Sequence, residues 1–142
     1  MNLEDQLRRD EGVRYDAYKD TLGNWTTGVG HLIQSNEQWM IAAHLTDDQV
    51  NQILDADIAI AQAGCLRYPW HDKLDPVRQA AVTNIVFNMG IGNFAEFHNT
   101  IACLSSGDWK GAHDGLLKSL WASQVGQRAI RLATQILTGE WQ

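Results

Sequence analysis

Leu3 and Leu7 stand four positions apart among charged residues, and Gly12 follows them. That spacing predicts a short helix over residues 2–11, with Gly12 as its stop. From 13 to 34 the period changes. Tyr, Trp, Thr, Val and Ile alternate loosely with polar positions around Leu22, Gly23 and Asn24. This predicts a β-hairpin, with a third strand near Leu32 and Ile33. Residues 35–45 follow no clear period and leave room for a short helix. At Thr46 the run Thr-Asp-Asp-Gln has the form of a capping box, with acidic groups in the first turn where the helix dipole favours them. Val50, Ile53, Leu54, Asp57, Ile58 and Ala61 then recur at helical spacing. A helix from 47 to about Ala63 is expected, stopped by Gly64 and about 25 Å long.

Beyond a Tyr68-Pro69-Trp70 loop, Asp75 and Pro76 fit an N-cap and a first helical position. The stretch that follows, VRQAAVTNIVFNMG, is apolar nearly all round, the pattern of a helix at the centre of a bundle. Shorter helical patterns follow near 94–104, 108–113, 115–122 and 126–137. The fold class expected is α+β with helices dominant: a small antiparallel β element near the N-terminus, a long joining helix and a C-terminal helical bundle.

The 142 residues suit one domain, or two small lobes. No apolar run nears the ~18 residues of a membrane span, and MNLEDQLRRDEG lacks the apolar core of a signal peptide. Neither membrane insertion nor a leader is expected. Net charge is −6, which disfavours a general nucleic-acid-binding role, since phosphate binding needs a basic face. The acidity is local: residues 1–57 hold 11 acidic and 4 basic groups, and residues 58–142 hold 6 and 7. Cys65 and Cys103 lack the spacing of a zinc site. They read as two small buried hydrophobes, with a disulfide the alternative.

Glu11 is the first candidate for chemistry. At a helix C-terminus the dipole disfavours its charge, and a carboxylic acid that keeps its proton suits a general acid. An ordinary solvated helix Glu is the competing reading. Asp20 lies just before the hairpin turn, a usual place for an Asx-turn. Thr26 is on the returning strand, where Thr is common. Taken together, the three could converge, and two carboxyls with a polar group for water are the parts of glycoside hydrolysis. Gly28 and Gly30 do not meet the spacing of a nucleotide loop and fit close backbone approach instead. His31 is as compatible with a structural hydrogen bond as with catalysis. Arg128 stands in an otherwise mostly apolar helix, three residues before Arg131, and is either solvated or partnered.

Glu11, eight residues, Asp20, five residues, Thr26, then Gly28-Val29-Gly30-His31 resembles the signature of the T-even phage lysozymes, the phage-type muramidases. Residues 74–90 and 118–141 resemble that family's central helix and closing segment. The resemblance implies a lysozyme-like domain over 1–142. It would comprise a small lobe at about 12–57, a bridging helix at about 47–63, and a helical lobe at about 64–142 joined by helix 2–11. It implies an endolysin that hydrolyses the β-1,4 bond between N-acetylmuramic acid and N-acetylglucosamine in bacterial peptidoglycan and lyses the host. Glu11 would be the acid, Asp20 the carboxylate that stabilises the transition state, and Thr26 the group that holds water for an inverting displacement. Gly30, Leu32, Phe87 and Thr100 match sugar-contacting positions, though Phe87 could equally be core. Arg128 would partner Glu11, and His31 would pair with Asp57 and gain a raised pKa. No metal or cofactor is implied. A monomer is expected, waiting in the host cytoplasm until a separate pore-forming protein gives access to the wall. The segment between His31 and Thr46 is shorter than in the best-known members, and Gly115 stands where they carry a sugar-contacting Asn. A non-catalytic wall-binding module and a lytic transglycosylase of related fold are the alternatives.

Overall fold

The computed structural model describes residues 1–142. Helices predominate, and the only sheet is small, so the α+β class with dominant helices is the observed one. The chain forms two compact units, Met1–Ala59 and Ile60–Gln142.

In the first unit, α1 spans Leu3–Glu11. Asn2 caps it by accepting from the Asp5 amide at 2.9 Å, and Gly12 ends it at φ +75°. The sheet has the order β1-β2-β3, with β1 at Arg14–Lys19, β2 at Trp25–Gly28 and β3 at His31–Leu32, all antiparallel. Tyr18 pairs with Thr26 and Lys19 with Trp25, and the register shifts between Arg14 and Tyr18. On the other side, Thr26 pairs with Leu32 and Thr27 with His31. The third strand thus starts one residue earlier than the sequence pattern suggests, and beyond it the Ile33 amide still reaches the Trp25 carbonyl at 2.9 Å. The ambiguous 35–45 stretch holds a 3-10 helix over Ser35–Ile41 that buries Met40 and breaks at Glu37.

The α2 helix spans Asp47–Cys65. Both bonds of the Thr46–Gln49 capping box form, at 2.9 and 3.1 Å. Val50, Leu54, Ile58, Ala61 and Cys65 make its buried stripe. The helix runs two residues past the expected end, and Gly64 lies inside it. A Cβ at Gly64 would meet the Ile91 side chain at 3.0 Å. Glycine is there for close packing, not termination.

The second unit continues with α3 (Pro76–Met89), α4 (Ile91–Phe94), α5 (His98–Ser106), α6 (Trp109–Leu117), α7 (Leu120–Val125) and α8 (Gln127–Thr138). Asp75 caps α3, and Ala80–Val86 are buried in succession, as an all-round apolar helix requires. The pattern at 94–104 divides into α4 and α5. The pattern at 108–113 continues through Gly115 to Leu117, and the next helix starts only after Ser119, whose hydroxyl caps Ala122 at 3.1 Å. Both cysteines are free thiols; Cys65 is buried as expected, while Cys103 is only partly so, and its thiol lies 3.7 Å from Oδ2 of the exposed Asp108. No helix is long and apolar enough to cross a membrane.

Candidate active site

The first unit positions three of the sequence-predicted groups by local geometry. Asp20 follows directly on β1. Its amide donates to the Asn24 carbonyl at 2.9 Å, which continues the ladder of the Lys19–Trp25 pair. One carboxylate oxygen, Oδ1, accepts from the amides of Leu22 and Asn24 at 2.9 and 2.8 Å. The Asx-turn reading of Asp20 is therefore correct, and it does not exhaust the residue: these bonds fix the carboxylate and engage Oδ1 alone.

Thr26 is buried, and its hydroxyl donates to the same Asn24 carbonyl at 3.2 Å. Since Tyr18, Thr26 and Leu32 are direct cross-strand partners, their side chains share one face of the sheet. Asp20, two residues beyond Tyr18 in the same ladder, belongs to that face. Leu32 is exposed there, at 47%.

Glu11 ends α1, and its carboxyl group lies against the β2–β3 turn. A Cβ at Gly30 would fall 2.5 Å from Glu11 Oε2 and 2.8 Å from Cδ. Gly30 also has φ +64°. Two separate constraints therefore demand glycine at this position.

His31 holds the turn from behind. Its Nδ1 is 2.7 Å from Asp57 Oδ2, and its Nε2 is 2.9 Å from Glu37 Oε1. The Asp57 hydrogen bond, against an opposing cost of burial and with help from Glu37, raises the imidazolium pKa to about 9. Burial pushes Glu37 upward, but the Gln34 amide and His31 outweigh it and bring its carboxyl below the usual value. Sequence reasoning misses Glu37. The weak signal was Gln34, three residues before it, whose backbone amide donates to Glu37 Oε1 at 2.9 Å while the Glu37 amide donates to the Gln34 carbonyl at 3.0 Å.

In the second unit, Arg128 is buried and donates through Nε and Nη2 to Asn84 Oδ1 at 3.2 and 2.7 Å, so of its two readings the partnered one holds. Asn84 lies unremarked in the apolar run of α3. Thr100 is buried on α5, and Phe87 packs half-buried against the core. A Cβ at Gly115 would meet Thr100 Oγ1 at 2.8 Å, so the residue that departs from the family pattern makes room for that hydroxyl. No group of three or more His, Cys, Asp or Glu residues has a metal-binding arrangement.

A family model for phage lysozyme matches residues 8–135. The chain is 32% identical to the pre-baseplate central spike protein Gp5 of Enterobacteria phage T4, over 98% of this chain and 28% of that much longer protein. It is 27% identical to probable T4-type lysozyme 2 of Dictyostelium discoideum, over 97% of this chain and 95% of the relative. It is 31% identical to an endolysin of Acyrthosiphon pisum secondary endosymbiont phage 1, over 86% and 80% respectively.

Proposed function

The chain belongs to the phage lysozyme family, and on that premise we propose that it hydrolyses the β-1,4 bond between N-acetylmuramic acid and N-acetylglucosamine in bacterial peptidoglycan. The observation that carries this reading is the shared Asn24 carbonyl. It takes one hydrogen bond from the Asp20 amide and one from the Thr26 hydroxyl, which sets a carboxylate beside a hydroxyl on one sheet face. Because Thr26 spends its proton on Asn24, its oxygen lone pairs remain to accept from a water. Asp20 Oδ2 is a second acceptor for the same water.

In the proposed reaction Glu11 protonates the leaving 4-oxygen as the glycosidic bond breaks. Asp20 stabilises positive charge developing at the anomeric carbon. The water held by Thr26 adds to that carbon from the opposite side and passes its proton to Asp20. Carboxyls arranged to admit a water this way invert the configuration. Gly30, Leu32, Phe87 and Thr100 are proposed sugar contacts. The chain acts as a monomer, needs no cofactor, and reaches the wall from the host cytoplasm once a separate pore-forming protein has opened the way, lysing the cell.

Glu11→Gln keeps the shape of the side chain and removes its transferable proton. Clearing of a sacculus suspension should fall by at least about a thousandfold, the scale of losing general-acid assistance together with positioning, with an unchanged circular dichroism spectrum. A variant that clears sacculi at the wild-type rate would remove Glu11 from the reaction.

A further inference from the structure

Arg14 is an unusual cation for its surroundings. The first unit has four basic side chains among eleven acidic ones. Arg9 is paired with Asp10 at 3.2 Å, and Arg8 donates to Asn51. Lys19 lies over the Trp25 ring at 5.3 Å, on the other side of β1 from Tyr18. Arg14 is exposed and forms no ion pair; its guanidinium carbon lies 4.5 Å from the centre of the Tyr18 ring. Asp16, the acid nearest to it along β1, is taken by His44 at 3.0 Å.

A flexible arginine amid excess acid would ordinarily fold onto a carboxylate. Stacking on an aromatic face instead fixes the guanidinium plane and leaves its edge donors unengaged. The ring that props it up is the direct cross-strand neighbour of Thr26 and stands two residues from Asp20. An oriented, unpaired fork of N–H donors thus adjoins the face that carries the proposed chemistry. Such a fork matches a carboxylate bidentately.

We propose that Arg14, propped on Tyr18, binds a carboxylate of the acidic peptide stems that the muramic acid residues carry. The inference rests on the peptidoglycan reading and adds to it: glycan strands bearing free stem carboxylates are the preferred substrate. Tyr18 acts through Arg14 as a positioning residue. Carboxylate could also come from the lactyl group of muramic acid that has lost its stem, and the substrates below separate the two sources.

The test compares wild type, Arg14→Gln and Lys19→Gln on three substrates: untreated sacculi, sacculi whose carboxylates have been converted to amides with carbodiimide and ammonia, and strands stripped of stems by an amidase. On untreated sacculi Arg14→Gln should raise KM about five- to tenfold, the scale of a well-formed charge-assisted contact, with kcat unchanged. Lys19→Gln, which removes the same charge from the opposite side of the strand, should leave KM within twofold. On amidated sacculi wild type and Arg14→Gln should coincide. A deficit on untreated sacculi that is absent from amidated ones assigns the stem, because the lactyl carboxyl is amide-linked there; a deficit on stripped strands alone assigns the lactyl carboxylate that the amidase frees and overturns the stem assignment. Equal loss on untreated and amidated sacculi, or none on either, overturns the proposal. Pelleting of each variant with the same sacculi gives a readout independent of turnover. If wild type pelleted but cleaved nothing, the hydrolase reading would fail while the binding deficit of Arg14→Gln still decided the role of Arg14.

Discussion

His31 is a single residue on which strand, 3-10 helix and α2 all depend, because its two nitrogens bind carboxylates from Glu37 and Asp57. In the folded chain it keeps its proton to about pH 9, whereas an unfolded histidine titrates near 6.5. The folded state therefore binds more protons between these values, and stability must fall as pH rises across that window. The contribution is complete below about 6.5, is lost above 9, and is on the order of 3 kcal/mol. Urea titrations at pH 6, 7.5 and 9 should show that decline in wild type and a nearly flat profile in His31→Asn. A histidine NMR titration midpoint at or below 6.5 would remove the basis of the prediction. Gly30 supplies a second test. In Gly30→Ala the new methyl must displace the end of the Glu11 side chain, which is flexible, so the carboxyl moves while the fold persists. Activity should drop by more than tenfold, and stability by only about 1 kcal/mol for the positive φ. The local settings of Glu11, Asp20, Thr26 and His31 were legible because each sits at a recognisable feature, a helix end, a turn or a strand, while their grouping as a site came from the resemblance. Glu37 and Asn84 were not, since nothing within a few residues of either signals a partner that only the folded chain brings near.

At the scale of elements, helices with strong end signals were readable and those with weak ones were not. Thr46 and Asp75 cap α2 and α3 as their sequences suggest. Gly64 misled because a glycine marks either a helix end or a close approach, and only the presence of Ile91 decides between them. The expected division between 108–113 and 115–122 also falls elsewhere: one helix runs on through Gly115, which accommodates Thr100, and the break comes at the Ser119 cap. One device that joins elements left no trace in the sequence. Arg78 donates from Nε to the Ile136 carbonyl at 2.6 Å and from Nη2 to Leu137 at 3.2 Å, bonds Asp75 at 3.0 Å, and lies over Trp109 at 4.4 Å. It thereby satisfies carbonyls at the end of α8 that have no partner within the helix. Arg78→Leu should cost about 2 kcal/mol and lower the melting temperature by roughly 6 °C. Differential scanning calorimetry would detect the change, and an unaltered transition would mean that solvent replaces those bonds at no cost.

Over the whole molecule the decisive quantity is charge. A protein of net −6 that works on an anionic wall meets long-range repulsion, while contacts such as that proposed for Arg14 act only at close range. Screening relieves the repulsion first. Wall clearing should therefore rise with salt up to about 0.1–0.2 M, where the Debye length falls below ~10 Å, and a monotonic decline from low salt would contradict this. The central claim concerns what bond is broken and what attacks it, and mass spectrometry of the material released from purified sacculi tests it most directly. The account predicts muropeptides ending in reducing N-acetylmuramic acid, with one water added per cleavage. Products ending in 1,6-anhydro sugar, or no released glycan at all, would contradict it.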